Sequence, residues 1–215
     1  MQINEETAQK VAEFLLQIKA VQLNKAVPFH WASGWQSPIY CDNRKTLSFP
    51  KARTYIRQRY VDAIQEKFGQ VDVVAGVATG GIAQAALVAQ DLELPLVYVR
   101  SSSKGHGLQN QIEGVIEAGQ RVVVIEDLIS TGMSSLKAVD ALRQAGCNVV
   151  GMIAIFSYGF ELAKQNFEHY KCSLYTLCDY NTLIDVALEK GYIEKNEIDS
   201  LKSWRKDPAN WNTYV

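Results

Sequence analysis

Four apolar runs punctuate the middle of the chain: Val71–Val77, Leu96–Val99, Arg121–Ile125 and Val149–Ile155. They lack the polar alternation of a strand with one wet face, so each reads as a strand covered on both sides. Segments of helical period separate them, one running through Gln90 and another over Ser134–Ala145, stopped by Gly146. Strand, helix, strand in that order predicts an α/β fold, a doubly wound and mostly parallel central sheet with helices on both faces. Two shorter elements, around Leu174–Leu177 and Asn181–Lys190, extend this core, and Asn196 is placed to cap a last helix reaching Trp204.

The N-terminal third has a different texture. Asn4 reads as the cap of a first helix with an apolar stripe at Ala8, Val11, Phe14, Leu15 and Ile18. Phe29–Trp31 and Pro38–Tyr40 flank Ser33-Gly34 and read as two short strands around a turn. Ser48-Phe49-Pro50 then opens a helix buried along Tyr55, Ile56, Tyr60, Ala63 and Ile64 and closed by Gly69. The region of about 20–45 is too short for a domain, so we expect one domain over 1–215 carrying a small hood.

Charge and cysteine usage narrow the function classes. Lys and Arg number 22 against 23 Asp and Glu, a net of −1, which argues against a broad nucleic-acid or membrane surface. Met1–Lys10 is polar and acidic, unlike a signal or transit peptide, and no apolar run approaches the ~18 residues of a membrane span. Cys41, Cys147, Cys172 and Cys178 form no Cys-x-x-Cys pair, and His30, His106 and His169 are scattered. Free thiols in a reducing, cytoplasmic setting are the expectation.

The stretch Val122 to Ser135 carries the chemistry. A buried-strand run leads into Glu126-Asp127-Leu128-Ile129, then Ser130-Thr131-Gly132-Met133-Ser134-Ser135, then a helix. Small residues before a helix start let backbone N–H groups approach an anion, and the hydroxyls of Ser130, Thr131, Ser134 and Ser135 can add donors. Two carboxylates in front would repel a phosphate unless something lay between them. A ribose fits, its 2- and 3-hydroxyls donating to Glu126 and Asp127 and its 5-phosphate in the loop. The plain alternative is a strand-to-helix turn whose serines cap the helix. Neither G-x-x-x-x-G-K-[ST] nor G-x-G-x-x-G occurs. Thr79-Gly80-Gly81 follows another strand and can hold diphosphate on its backbone, or be a tight turn. The polar segment from Arg100 through Lys104-Gly-His106-Gly to Gln111 follows a strand and should project as a basic loop.

Val-Val-Val-Ile-Glu-Asp-Leu-Ile-Ser-Thr-Gly-Met-Ser resembles the phosphoribosyl diphosphate (PRPP) motif of type I phosphoribosyltransferases. Ser37-Pro-Ile-Tyr-Cys-Asp-Asn-Arg44, Tyr98-Val-Arg100, Lys104-Gly-His-Gly107, Asn110-Gln-Ile-Glu-Gly114 and Trp204-Arg-Lys-Asp-Pro-Ala-Asn210 resemble orotate phosphoribosyltransferases of the Bacillus-like bacterial branch. The resemblance implies a type I fold with an N-terminal hood and a Mg2+-dependent transfer of ribose 5-phosphate from PRPP to orotate in pyrimidine (UMP) biosynthesis. It also implies a homodimer sharing a catalytic lid, with no nucleic-acid or membrane partner. By the same likeness PRPP is bound by Arg100, Lys104, His106 and the run Glu126, Asp127, Leu128, Ile129, Ser130, Thr131, Gly132, Met133 and Ser134. Lys104, His106 and Asp127 are then catalytic. Orotate sits near Ser130 and the hood with Arg44 as candidate partner, and Mg2+ is held mainly through PRPP rather than by direct protein ligands. Ala32, Gln36, Ser101 and Ser102 stand where relatives carry lysine, and Phe156-Ser-Tyr-Gly replaces an arginine some relatives use for orotate. A phosphoribosyltransferase for another base and a non-catalytic PRPP sensor are the competing readings; the Lys104-Gly-His segment and the net charge speak against the sensor.

Overall fold

The computed structural model describes residues 4–24, 27–31, 34–100 and 111–211. Among them a six-stranded sheet forms the centre. Its strands are β5 (Val73–Val77), β6 (Leu96–Val99), β7 (Ile112–Glu113), β8 (Arg121–Ile129), β9 (Asn148–Ser157) and β10 (Leu174–Asp179), in the order β10-β9-β8-β5-β6-β7. Every pairing is parallel except β6 with β7. Along β8, Val122 and Val124 enter one apolar cluster while Val123 and Ile125 enter the other, all fully buried. An unbroken apolar strand is the sequence signature of this two-sided burial. The helices α3 (Gly80–Leu92), α4 (Met133–Gln144), α5 (Glu161–His169) and α6 (Tyr180–Glu189) supply the crossovers and the covering layers.

Local signals explain most boundaries. The Asn4 side chain accepts from the Thr7 amide at 2.9 Å and starts α1 (Glu5–Gln17), whose buried positions are Thr7, Ala8, Val11, Ala12, Leu15 and Leu16. Phe14 stays at the edge of that stripe against Tyr55, which is itself only half-buried on α2 (Pro50–Lys67). Pro50 sits in the first turn of α2, where its missing N–H costs nothing.

The structure departs from expectation at four places. Phe29–His30 (β2) pairs antiparallel with Gln36–Ser37 (β3), while Ile39–Cys41 (β4) turns away to pair with Val21–Leu23 (β1). The proline after Ser37 cannot donate to a ladder, so the strand breaks there. Strand β8 runs to Ile129 instead of stopping at Ile125, because β9 is long enough to pair with it as far as Ser157. Glu126 and Asp127 are therefore strand residues. Helix α5 had no clear periodic signal, since only Ala163 and Phe167 are buried along it. Asn196 does not cap the last helix: Glu194 and Glu197 form a capping box around the turn Lys195–Glu197, which leads straight into α7 (Ile198–Lys206). The cysteines are free, three buried and Cys41 intermediate. No described helix is long and apolar enough to cross a membrane.

Candidate active site

The carboxyl ends of β5, β6 and β8 meet the starts of α3 and α4, the edge where open parallel sheets hold ligands. A cleft of about 340 Å³ opens there, lined by Thr79, Gly80, Arg100, Glu126, Asp127, Leu128, Ser130, Thr131, Gly132 and Ser134 among others. A larger groove of about 870 Å³ between α5 and β10 contains none of these residues.

Gly132 sets the geometry of the loop between β8 and α4. It adopts φ +81°, and a Cβ there would overlap the Phe167 ring, so both conformation and space demand glycine. Helix α4 begins on the next residue, and its first turn presents free N–H groups and the positive end of a 12-residue helix. The Thr131 carbonyl accepts from the Asn166 amide of α5 at 2.9 Å, which anchors the loop from outside. Across the cleft, α3 starts at Gly80, where a Cβ would collide with the Asp127 carboxylate. That glycine lets the acid and the helix start approach each other. Gly81 packs against the Ile125 carbonyl and does not line the cleft, and the Ala78–Thr79 peptide is cis.

The two acids have different surroundings. The Glu126 carboxylate is only 6% exposed; Oε2 accepts from Ser135 Oγ at 2.7 Å and Oε1 from the Asp127 amide at 2.9 Å. Burial, reinforced by the neighbouring Asp127, pushes the Glu126 carboxyl well above the usual carboxylate range, against the bond from Ser135. The Ser135 hydroxyl is thus committed to Glu126, and the expectation that it joins the phosphate donors is corrected. Asp127 is half-buried at the lip. Behind the pair, buried Tyr60 donates its hydroxyl to the Glu126 carbonyl at 2.6 Å, and burial and the acids hold that phenol protonated.

Because Glu126 takes up its proton more readily folded than unfolded, its ionisation opposes folding: stability is greatest below the ordinary glutamate range and falls as pH rises toward the raised folded value. Glu126→Gln, whose amide can donate to Ser135 Oγ and still accept from the Asp127 amide, should raise Tm, with a gain that grows from acid to neutral pH. Melting curves across that range check it; a pH-independent or negative difference contradicts the assignment.

Arg100 lines the cleft and places Nη1 3.4 Å from Glu113 Oε1, while its backbone amide donates to the Gln111 carbonyl at 2.8 Å. Lys104, His106, Ser101 and Ser102 lie outside the described residues, as does Ala32. Ile129 turns its side chain into the core, and Met133 is exposed without lining the cleft. Arg44 also stands off the cleft lining, well exposed, and pairs through Nε with Asp42 at 2.7 Å. Trp31 packs at 4.8 Å from Tyr158 and 5.6 Å from Trp204 and so belongs to the body of the hood, whereas Tyr40 is exposed beside Phe29. Sequence reasoning missed Tyr60, Asn43 and Ser135 as supports of the acid pair, since each meets it only through tertiary contact or helix geometry.

Comparison with known proteins agrees with this geometry. A model of the phosphoribosyl transferase domain matches residues 47–186. The chain is 58% identical over 202 residues to the orotate phosphoribosyltransferase of Bacteroides fragilis, covering 94% of this chain and 95% of that one. The enzyme of the same name from Listeria monocytogenes is 57% identical, covering 94% and 97%. The crystal structure of orotate phosphoribosyltransferase from Aeropyrum pernix superposes with a TM-score of 0.71 at 31% identity, over 86% of this chain and 99% of that one.

Proposed function

This chain belongs to the phosphoribosyl transferase family, and within it to the orotate phosphoribosyltransferases, and we propose how its cleft performs their transfer. The enzyme joins orotate N1 to C1 of PRPP, giving orotidine 5′-phosphate and diphosphate on the route to UMP. The C1–O bond breaks with its electron pair leaving on diphosphate, and the new C1–N1 bond fills the vacancy. Positive charge on the sugar and negative charge on the leaving group must both be stabilised, so catalysis is positioning and electrostatics, with no covalent nucleophile needed.

One observation carries the reading: a single cleft is lined by an acid pair, two helix starts and, at its rim, Arg100. The start of α4 with Ser130, Thr131 and Ser134 takes the 5-phosphate, and Asp127 with Glu126 takes the ribose hydroxyls. Thr79, Gly80 and Arg100 face the diphosphate. The hood closes over the orotate side, near Ser130, and the chain acts as one domain. Among the described residues no three His, Cys, Asp or Glu side chains gather as a metal cage. A Mg2+ ion would be carried in on PRPP, with Asp127 at the lip as the carboxylate beside it. When bound, the ion neutralises the departing diphosphate. A cytoplasmic homodimer with lids shared between subunits completes the proposal.

The test is orotate consumption followed by absorbance with PRPP and Mg2+, with hypoxanthine, adenine and uracil in parallel; turnover of one of those alone overturns the base assignment. Within the same assay, Lys104→Ala should lower kcat by about tenfold to a hundredfold with the fold intact, since a mobile cation is removed from the leaving group. Near-normal turnover in that variant refutes the lid's role.

A further inference from the structure

Strand β8 outruns one of its neighbours. Its pairing with β5 ends at Ile125 opposite Gly76, whereas pairing with β9 continues to Ile129. Just past Ile125 the carbonyls of Glu126 and Asp127 accept instead from side chains, Tyr60 on the first and Asn43 on the second, each at 2.6 Å. Asn43 is completely buried, directly follows hood strand β4 by two residues, and opens the turn Asn43–Ser48. Its orientation is set on both sides. The Cys41 thiol reaches Oδ1 at 3.2 Å, and the Asp127 carbonyl can only accept, so the NH2 group must face Asp127.

The contacts continue from the backbone of Asn43 to α3. The Asn43 carbonyl accepts from Thr46 Oγ1 at 2.6 Å, and Thr46 Oγ1 accepts from Gln84 Nε2 at 3.1 Å, with both residues buried. Gln84 lies on α3, whose first residue, Gly80, abuts the Asp127 carboxylate. Hood, diphosphate-side helix and ribose-side acid therefore meet at one residue: the Asn43 side chain holds the Asp127 main chain, and its backbone carbonyl takes the Thr46–Gln84 link. Buried hydrogen bonds between separate segments favour one arrangement of the parts they join.

We infer that Asn43 is a positioning residue for the transfer reaction, fixing Asp127 relative to the hood and to the start of α3. The inference rests on the ribose role proposed for Asp127. Asn43→Leu keeps the branched outline, with somewhat larger ends, and removes the donor. It should lower kcat about tenfold or more even at temperatures well below its Tm, where circular dichroism matches the parent, because small displacements of a reacting group are costly.

Asn43→Asp gives a readout that a packing role does not. While protonated, the new carboxyl can donate to the Asp127 carbonyl. Once ionised it presents only acceptors, facing that carbonyl and the Asp127 carboxylate, with the Cys41 thiol beside it and Arg44 already paired to Asp42. Its kcat relative to the parent should therefore be highest at acid pH and fall as pH rises. Parent-like kcat and KM in both variants at every pH, or losses that merely follow Tm, overturn the inference. Asp127→Asn is measured alongside. If that variant is severely impaired while both Asn43 variants are not, positioning alone is wrong. If Asp127→Asn is itself unimpaired, the ribose reading falls and this inference with it.

Discussion

Replacing Asp127 by asparagine should lower kcat/KM for PRPP about 10²–10³-fold, the scale seen when one preorganised electrostatic contact to a transition state is removed. The side chain stands half-buried at the lip of the cleft close to the backbone of Gly80, while the Asp127 main-chain amide donates to the Glu126 carboxyl. Asparagine keeps the shape and removes the charge that would stabilise the sugar as C1–O opens. Its carbonyl can still accept from one hydroxyl, so ground-state binding suffers less than turnover and kcat should carry most of the loss. Tm should stay near the parent value, because the Asn43 bond is to the Asp127 main chain and survives the exchange. A variant with ordinary kcat and KM for PRPP would remove Asp127 from the chemistry.

Trp204→Ala should be the most destabilising single truncation in the C-terminal segment, at about 3–5 kcal/mol, with Tm lower by roughly 10 °C or more. The indole is fully buried, with ring centres of Trp31 at 5.6 Å, Tyr158 at 5.8 Å, Phe160 at 5.5 Å and Tyr180 at 5.5 Å. Its Nε1 donates to the carbonyl of Gln36 in hood strand β3 at 3.1 Å. Next to it, Arg205 donates to the carbonyls of Tyr158 and Gly159 at 3.2 and 3.0 Å. Helix α7 is thus pinned on one side to the hood and on the other to the end of β9. Loss of the ring empties the space between them. Thermal melts decide the magnitude, and a change of less than about 1 kcal/mol would show that the aromatic cluster repacks around the gap.

How far the sequence could be read depended on the range of the interactions involved. Asn4, Pro50, Gly69 and Gly146 announce helix ends because capping and turn geometry act over a few residues. The β-branched run at Val122–Ile125 announces a strand with two covered faces for the same local reason. Pro38 was a readable signal too, but the strand it ends and the strand after it find partners, Phe29–His30 and Val21–Leu23, that no local pattern names. Helix α5 escaped notice because only two of its residues face the core. The length of β8 was hidden because a strand ends where its neighbour ends, and the partner of Ile129 is Ser157, 28 positions further along the chain.

By itself the sequence determined the fold class, the small-residue run that enters α4, and the acid pair before it. These follow from periodicity, backbone freedom and charge, each written in short stretches of local sequence. Only the tertiary structure decided how the pair divides: Glu126 buried on Ser135 with its carboxyl pushed up, Asp127 at the lip against Gly80. It also turned Ser135 from a phosphate donor into a partner of Glu126 and drew Asn43 from 84 positions away onto the Asp127 carbonyl. Burial and hydrogen bonding between distant segments depend on which surfaces pack together, and that is settled when the whole core forms.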